Sequence, residues 1–399
     1  MKFNQWTFGL AAVGVVSLAS VASAEEQMSA VQALTPTTIS GYVNTSAQWN
    51  PGTGNANLPA YKFNNKNKAD GFNLDVVKLT VEKALDEAQW AAGYKVDLLF
   101  GPDANVYGTA SSPFAAGTFN DFAIKQAYVA LQTPILPNGL TFKMGVFDSI
   151  IGYESFDAGS NPNYTRSYGH TLEPQTHTGV LAMYRVTDNV QVAAGVADTF
   201  GPSINQRANV SAPTKAESYK TYMGSITLTA PESMGALAGS ALYAGVVNGF
   251  STLVRNHDQT SWYAGATVKT PVTGLRVGAS YDYLGVSKQP LLPTTSIWAN
   301  TIAGYASYQA TEKLSLHARG EYLWRTDLGG FAKTQVGGFP ASKVMALTGT
   351  VQYDLWANVI SRLEVRWDHA ANGTKCFGGT GAPTRKNALL LAANVIYKF

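Results

Sequence analysis

From Thr38 onward, apolar and polar residues take turns along the chain. Ile39, Val43, Ala47 and Trp49 share one register, and Ser40, Asn44, Ser46 and Gln48 the other. The same pattern sets Trp90, Ala92, Tyr94, Val96, Leu98 and Phe100 against Gln89, Lys95 and Asp97. Leu140, Phe142, Met144 and Val146 alternate with Thr141 and Lys143, and Leu275, Val277, Ala279, Tyr281 and Tyr283 with Arg276, Ser280 and Asp282. Leu314, Leu316, Ala318, Tyr322 and Trp324 oppose His317, Arg319 and Glu321. Val359, Leu363, Val365 and Trp367 oppose Arg362, Glu364, Arg366 and Asp368. The last eleven residues repeat the pattern, with Leu389, Leu391, Ala393, Val395, Tyr397 and Phe399 in one apolar register. Period-two alternation predicts strands with one apolar face. Sixteen are predicted: 38–49, 72–84, 88–100, 122–132, 140–147, 176–186, 189–200, 218–229, 237–249, 260–270, 274–286, 297–310, 314–325, 343–355, 358–369 and 388–399.

The connections decide what the strands build. Seven short turns alternate with eight long loops, covering roughly 50–71, 101–121, 148–175, 201–217, 250–259, 287–296, 326–342 and 370–387. A soluble sandwich has no reason to sort its loops this way, whereas a transmembrane barrel has short turns at one end and long loops at the other. About eleven residues at about 3.3 Å each, tilted by about 45°, cover roughly the 25 Å of an apolar band. Trp49, Phe100, Trp262, Tyr283, Trp324 and Trp367 fall at the long-loop ends, and Trp90, Tyr397 and Phe399 at the short-turn ends, as two aromatic girdles would. The expected fold is therefore all-β, an antiparallel up-and-down transmembrane barrel of sixteen strands. Strand 16 closes it against residues 38–49.

Composition agrees. Charged residues make up 14% of the chain, against about 25% in ordinary globular proteins. Mean hydropathy is nonetheless near zero, so the chain is not a bundle of membrane helices. The uncharged run Met234–Val254 is long enough for a helix, but its glycines, serines, Asn248 and Thr252 suit strand, turn and loop better. Lys2, the apolar run Trp6–Val21 and Ala22-Ser23-Ala24 read as a cleaved export signal over 1–24, followed by a short periplasmic tail over 25–37. A net charge of +3 gives no case for nucleic acid. Cys376 is the single cysteine and reads as a loop thiol. No metal-ligand spacing, phosphate loop or nucleophile elbow appears, so no cofactor is expected.

Two stretches carry a family resemblance. One runs Gly71-Phe72-Asn73-Leu74-Asp75-Val76-Val77-Lys78-Leu79-Thr80 and on through Glu82-Lys83 and Leu85-Asp86-Glu87 to Ala92–Pro102. The other is Gly152-Tyr153-Glu154-Ser155 with Asn161-Pro162-Asn163-Tyr164, Arg166-Ser167-Tyr168 and His177-Thr178-Gly179. They resemble the β-barrel porin-2 (OmpL-like) family of outer-membrane proteins. The terminal strand ending in Phe399 is similar to the assembly signal of such barrels. The resemblance implies a passive diffusion channel for small hydrophilic solutes and ions in the bacterial outer membrane. It also implies lipids and the barrel-assembly machinery as partners. It supplies no solute and no site residues. Porins of this size are often trimers, so a homotrimer is an open expectation, with no interface legible in the sequence.

The longest connection, 148–175, carries Asp148, Glu154, Asp157 and Glu173 together with Arg166 and His170. In rank and acidity it resembles the third external loop of general porins, which folds inward and narrows the channel. Asp148, Glu154, Asp157, Arg166 and Glu173 are the candidate constriction. Lys95, Asp97, Lys143, Arg276, Asp282, Arg319, Glu321, Arg362, Glu364 and Arg366 are the candidate lumen wall, by their inward register. Loop acids facing wall bases would set a transverse field that sorts solutes by charge. Arg319 with Glu321, and Arg362 and Arg366 with Glu364, stand two apart on one face and are as well placed to neutralise each other. An outer-membrane barrel enzyme of the lipase or protease type is an alternative, through Asp368-His369 or His257-Asp258. Neighbours on a strand face opposite ways, however, so neither pair is a ready dyad. An adhesin built on the Asn-, Gly-, Ser- and Thr-rich loops is another. A plugged transporter is disfavoured, since residues 25–37 are too short for a plug domain and the chain has no room for 22 strands.

Overall fold

The computed structural model describes residues 37–52, 54–107, 109, 121–198, 200–205, 207, 219–250, 258–287, 297–326 and 341–399. The export signal, the N-terminal tail up to residue 36 and His257 lie outside these residues. The strands are β1 (Thr38–Trp49), β2 (Gly71–Lys83), β3 (Ala91–Phe100), β4 (Phe122–Thr133), β5 (Leu140–Asp148), β6 (Thr176–Thr187), β7 (Val190–Ala197) and β8 (Thr221–Thr229). They continue as β9 (Ala241–Phe250), β10 (Asp258–Lys269), β11 (Leu275–Val286), β12 (Ile297–Gln309), β13 (Leu314–Arg325), β14 (Lys343–Trp356), β15 (Val359–Ala370) and β16 (Asn387–Lys398). Each pairs antiparallel with its sequence neighbours, and β1 also pairs with β16, so the sixteen form one closed barrel. Closure leaves no strand edge whose unpaired backbone groups would have to face lipid.

Alternation sets the two faces. Leu363, Val365, Leu347 and Val351 point outward and are exposed, while Arg362, Glu364, Arg366 and Thr350 point inward and are buried. The seam is tight at its short-turn end. Gly41 and Phe399 exchange backbone hydrogen bonds of 2.9 and 3.0 Å. A Cβ on Gly41 would meet the carbonyl of Lys78 and come within 2.7 Å of the Phe399 ring, so only glycine fits there.

Two irregularities matter for the interior. The β1–β2 register slips between Asn44 and Thr45, which leaves Asp75 without a cross-strand partner. The β3–β4 register slips between Asp97 and Leu98, which does the same for Lys125. A bulge re-aims a side chain that strict alternation would place on the other face. Asp75 and Lys125 are accordingly buried beside Val76 and Gln126, residues of the opposite parity.

Some boundaries differ from expectation. Strand β3 starts at Ala91, and Gln89 and Trp90 belong to the preceding turn. Strand β9 starts at Ala241, because Glu232–Leu237 forms a 3-10 turn with Gly235 at φ 57°. The turn over 230–240 is consequently longer than the connection over 251–257, so length alone does not sort the two ends of the barrel. The run Met234–Val254 contains β9, and no helix among the described residues is long and apolar enough to cross a membrane. Val146, in the apolar register of Met144, is buried, next to Gly145 at φ 132° where alternation breaks.

The outward face yields a first test. Leu347 stands near the middle of β14, 51% exposed. Leu347→Arg should cost about 2–4 kcal/mol in lipid, as a cation near the bilayer midplane does. Reversible guanidinium unfolding in lipid vesicles measures it; a change below about 0.5 kcal/mol, as for ordinary surface sites, would show that this face does not meet lipid.

Candidate functional site

The connection over 149–175 returns into the barrel and crosses its interior. Its neck is closed by the Ser149 amide donating to the Gln175 carbonyl at 3.0 Å. Its first part is apolar. Ile150, Ile151, Tyr153 and Leu172 join a buried cluster with Leu181, Met183, Met223, Val247, Tyr263 and Tyr305, from β6, β8, β9, β10 and β12. Wall glycines make room for it. A Cβ on Gly245 would lie 2.6 Å from Ile151, and one on Gly278 would collide with the Tyr153 hydroxyl. The barrel interior is thus half apolar, and the apolar half holds the start of the loop.

The second part is polar and meets the charged half. Helix α2 (Tyr168–Leu172), capped by the Ser167 side chain, lies against β11, β12 and β13. Arg319 of β13 donates to Glu154 of the loop at 2.8 Å, to Glu321 at 3.1 Å and to the Thr165 carbonyl at 2.7 Å. Arg366 of β15 reaches Glu321 at 3.2 Å, Asp368 at 2.9 Å and the Arg166 carbonyl at 2.7 Å. Glu321 accepts from the Tyr168 amide, and Glu364 from the amides of Tyr164 and Thr165. Arg362 donates to the carbonyls of Ala158 and Asn161. The wall charges therefore hydrogen-bond the loop's backbone as well as one another. Arg319, Glu321, Glu364 and Arg366 are 0–4% exposed.

Nearer β2 and β4 the partners are lysines. Lys78 holds Asp157 at 2.9 Å and Asp97 at 3.3 Å, and Lys125 pairs with Asp148. Burial opposes the charge of Asp157, but Lys78 and Lys125 outweigh it and hold the carboxyl below its usual range. Burial also lifts Glu154, but the Arg319 and Arg166 guanidiniums prevail and keep it low.

Other loops also enter. Tyr61, from the connection after β1, stacks its ring 3.9 Å from the Arg366 guanidinium. Lys68 of the same connection bridges Asp75 at 2.7 Å and Asp103 at 2.5 Å. Asp103 sits on the short helix α1 (Pro102–Tyr107), whose Tyr107 packs on Phe156. Burial pushes Asp103 up to about 6 despite Lys68. In the last connection, Cys376 and Phe377 are buried, and the Gly378 amide donates to Asn57 of the first.

Every candidate residue from the sequence lies inside the barrel, but their partnerships differ from the expected one. Glu154 faces a wall arginine. Asp148 and Asp157 face lysines, and Lys95 pairs with Glu82 at 3.1 Å. Glu173 faces Asp282, carboxyl against carboxyl. Burial and Asp282 push Glu173 well above its usual range. His170, 3.5 Å from Glu173, is pushed down to about 3 by burial and Arg166, so it is neutral at pH 7. Arg166 binds the carbonyls of Phe156 and Tyr164. Lys143 stands over the Tyr128 ring at 4.8 Å, and Arg276 lies lower on the wall. Arg362 and Glu364 form no ion pair with each other. Of the loop acids, Glu154, Asp148 and Asp157 thus form close ion pairs, whereas Glu173 meets a wall acid. Lys78, Lys125, Lys68, Asp75 and the tyrosines went unread; two of the charges are displaced by bulges, and tyrosines carry no signal of facing.

Asp368 is inward and bonded to Tyr168, whereas His369 turns outward against Trp367, so the pair is no dyad. Ser149 and His177 approach to 3.3 Å, and both are buried at the loop neck. Among the described residues no three His, Cys, Asp or Glu side chains converge as metal ligands.

Small cavities of about 20 and 30 Å³ lie on the long-loop side of this layer, each with room for little more than a water. Larger ones of about 330 and 420 Å³ lie on the short-turn side.

A family model described as "Putative beta-barrel porin-2, OmpL-like" matches residues 36–399. A search of curated proteins finds no match. Solved structures share the fold. The anion-selective porin from Comamonas acidovorans aligns with TM-score 0.59 at 10% identity over 91% of this chain and 99% of its own. The outer membrane channel DcaP of Acinetobacter baumannii aligns with TM-score 0.56 at 14% identity, over 92% and 98%. The trimer form of OmpT from Vibrio cholerae aligns with TM-score 0.55 at 12% identity, over 91% and 99%.

Two tests follow from the network. Glu154→Gln removes one carboxylate from fully buried Arg319, and breaking a buried pair from one side costs about 3–5 kcal/mol. With Glu321 still in place, about 3 kcal/mol is expected in guanidinium unfolding; an unchanged midpoint would show the pair to be idle. The Glu173 carboxyl has a folded value above its unfolded one of about 4.3. Its contribution is therefore full at low pH and lost as pH rises through the folded value. The midpoint of Glu173→Gln minus that of wild type should grow with pH, and a constant difference would refute the raised Glu173 carboxyl.

Proposed function

Because the chain belongs to the putative β-barrel porin-2, OmpL-like family, we propose that it is a porin, a passive diffusion channel for small hydrophilic solutes and ions. The chain is an outer-membrane β-barrel by family and fold. The observation that carries the channel reading is the loop of residues 149–175, docked across the interior on wall strands from both the apolar and the charged half. A sixteen-stranded barrel is wide enough for water, and any solute in it must pass this layer. Size exclusion at the layer is then the mechanism. The matched charges keep the loop in place, and no covalent step is involved. The connection after β1 and helix α1 narrow the passage further.

In this reading the short turns face the periplasm and the long loops the outside. Residues 1–24 are a removed export signal and 25–37 a short periplasmic tail. The strand ending at Phe399 is the segment read by the assembly machinery. The OmpT structure in trimer form supports a homotrimer as the assembled state.

Planar-bilayer recording on refolded protein tests the channel. Steady ohmic steps are expected, and their absence would sink the reading. Asp157 carries the test of the constriction, since its side chain is 31% exposed beside Lys78. Asp157→Asn removes one of the two carboxylates that face Lys78 and should shift the reversal potential in a salt gradient toward anions. An unaltered reversal potential and conductance would place the constriction elsewhere.

A further inference from the structure

At the level of the loop Arg319, Arg366, Lys78 and Lys125 each meet a carboxylate, whereas Lys269 and Arg276 below it meet none among the described residues. The cavity of about 420 Å³ at the short-turn end of β10–β13 is lined by Lys269, Arg276, Ser307, Gln309, Ser315 and His317, among others. No carboxylate lines it among the described residues. Lys269 and Arg276 stand directly opposite each other across β10 and β11. Like charges in that position repel and destabilise the pair of strands. Neither side chain has an ion pair or hydrogen bond among the described residues. Ser307 faces Arg276 on one side and His317 on the other, and its hydroxyl lies 2.9 Å from the His317 Nδ1. Two strands on, Arg362 continues the basic character and binds only neutral oxygens.

A recess of one charge sign between low-dielectric walls focuses its field and concentrates counter-ions. Its volume is that of a small-molecule site. Arginine offers a planar fork that fits carboxylate or phosphate oxygens in pairs, and lysine adds a point charge. Serine and imidazole can complete the shell. We propose that this recess binds small oxyanions, of carboxylate or phosphate type, and gives the channel a preference for anions. The proposal rests on the porin reading for its role in conduction, but the binding site does not depend on it. A bound oxyanion also relieves the Lys269–Arg276 repulsion, so occupancy stabilises the barrel at this end.

Two measurements separate the site from the channel. In bilayers under a potassium chloride gradient, the reversal potential should have the sign of anion preference. Inorganic phosphate added from the short-turn side should reduce the chloride current. Calorimetric titration of the refolded barrel in detergent with inorganic phosphate should show saturable binding whether or not the barrel conducts. Binding should weaken at least about tenfold in Lys269→Gln/Arg276→Gln, the loss expected for charge-assisted hydrogen bonds. Arg276→Lys keeps the charge, loses the fork, and should fall between the two. A conducting barrel with no anion preference and no phosphate titration would overturn the proposal, with the porin reading intact. Absence of conductance with phosphate binding intact would overturn the porin reading and keep the site.

Discussion

One guanidinium, that of Arg319, ties the segment crossing the lumen to the wall around it. It binds a loop carboxylate, a wall carboxylate and a loop carbonyl at once. A buried ion pair of this kind adds little net stability over a well-packed apolar pair, because both charges have left water. Its weight lies in what happens when a partner is missing, since a lone buried charge is expensive. The loop therefore has few alternative placements. Moving it by one residue would take Glu154 from Arg319 and the loop's backbone groups from Glu321, Glu364 and Arg366. The apolar contacts of Ile150, Ile151 and Tyr153 give the loop its affinity for the wall, and the charged contacts give it one position.

That division follows from the barrel itself. Lipid forces closure and an apolar exterior, which leaves the interior free in composition. Here the interior is split. Strands β6–β9 turn Leu181, Met183, Ala193, Met223 and Val247 inward. Strands β2–β4, β11, β13 and β15 turn charges inward. A loop with an apolar first half and a hydrogen-bonding second half fits such a two-sided lumen and no uniform one.

Legibility in the sequence follows the same physics. The strands could be read because lipid makes one face of each almost uniformly apolar, and all sixteen lie within a few residues of the alternation. Where they miss, a local cause exists, as with the 3-10 turn before β9 and Gly145 beside Val146. Inward charges such as Arg319, Arg362 and Glu364 were legible from parity. Asp75 and Lys125 were hidden because a bulge shifts parity by one. The Arg319–Glu321 pair was legible from its spacing, but the pairings between loop and wall were not. Which of several lysines meets Asp157, or that Glu173 meets Asp282, depends on how the loop crosses a space that no pattern along the chain describes.

The matched network also limits where charge preference can arise. Oppositely charged groups within about 3 Å present a small dipole to a passing ion, and salt screens what remains within about 8 Å. The loop layer can therefore set size and shape while adding little bias of sign. Sign has to come from charges without near partners. Lys269 and Arg276, opposite each other at the short-turn end, are two such charges. Size and charge selection are then placed at different heights in the barrel, one by a docked loop and the other by the wall itself. A substitution that loosens the loop would widen the passage and leave the sign of its preference to the vestibule below.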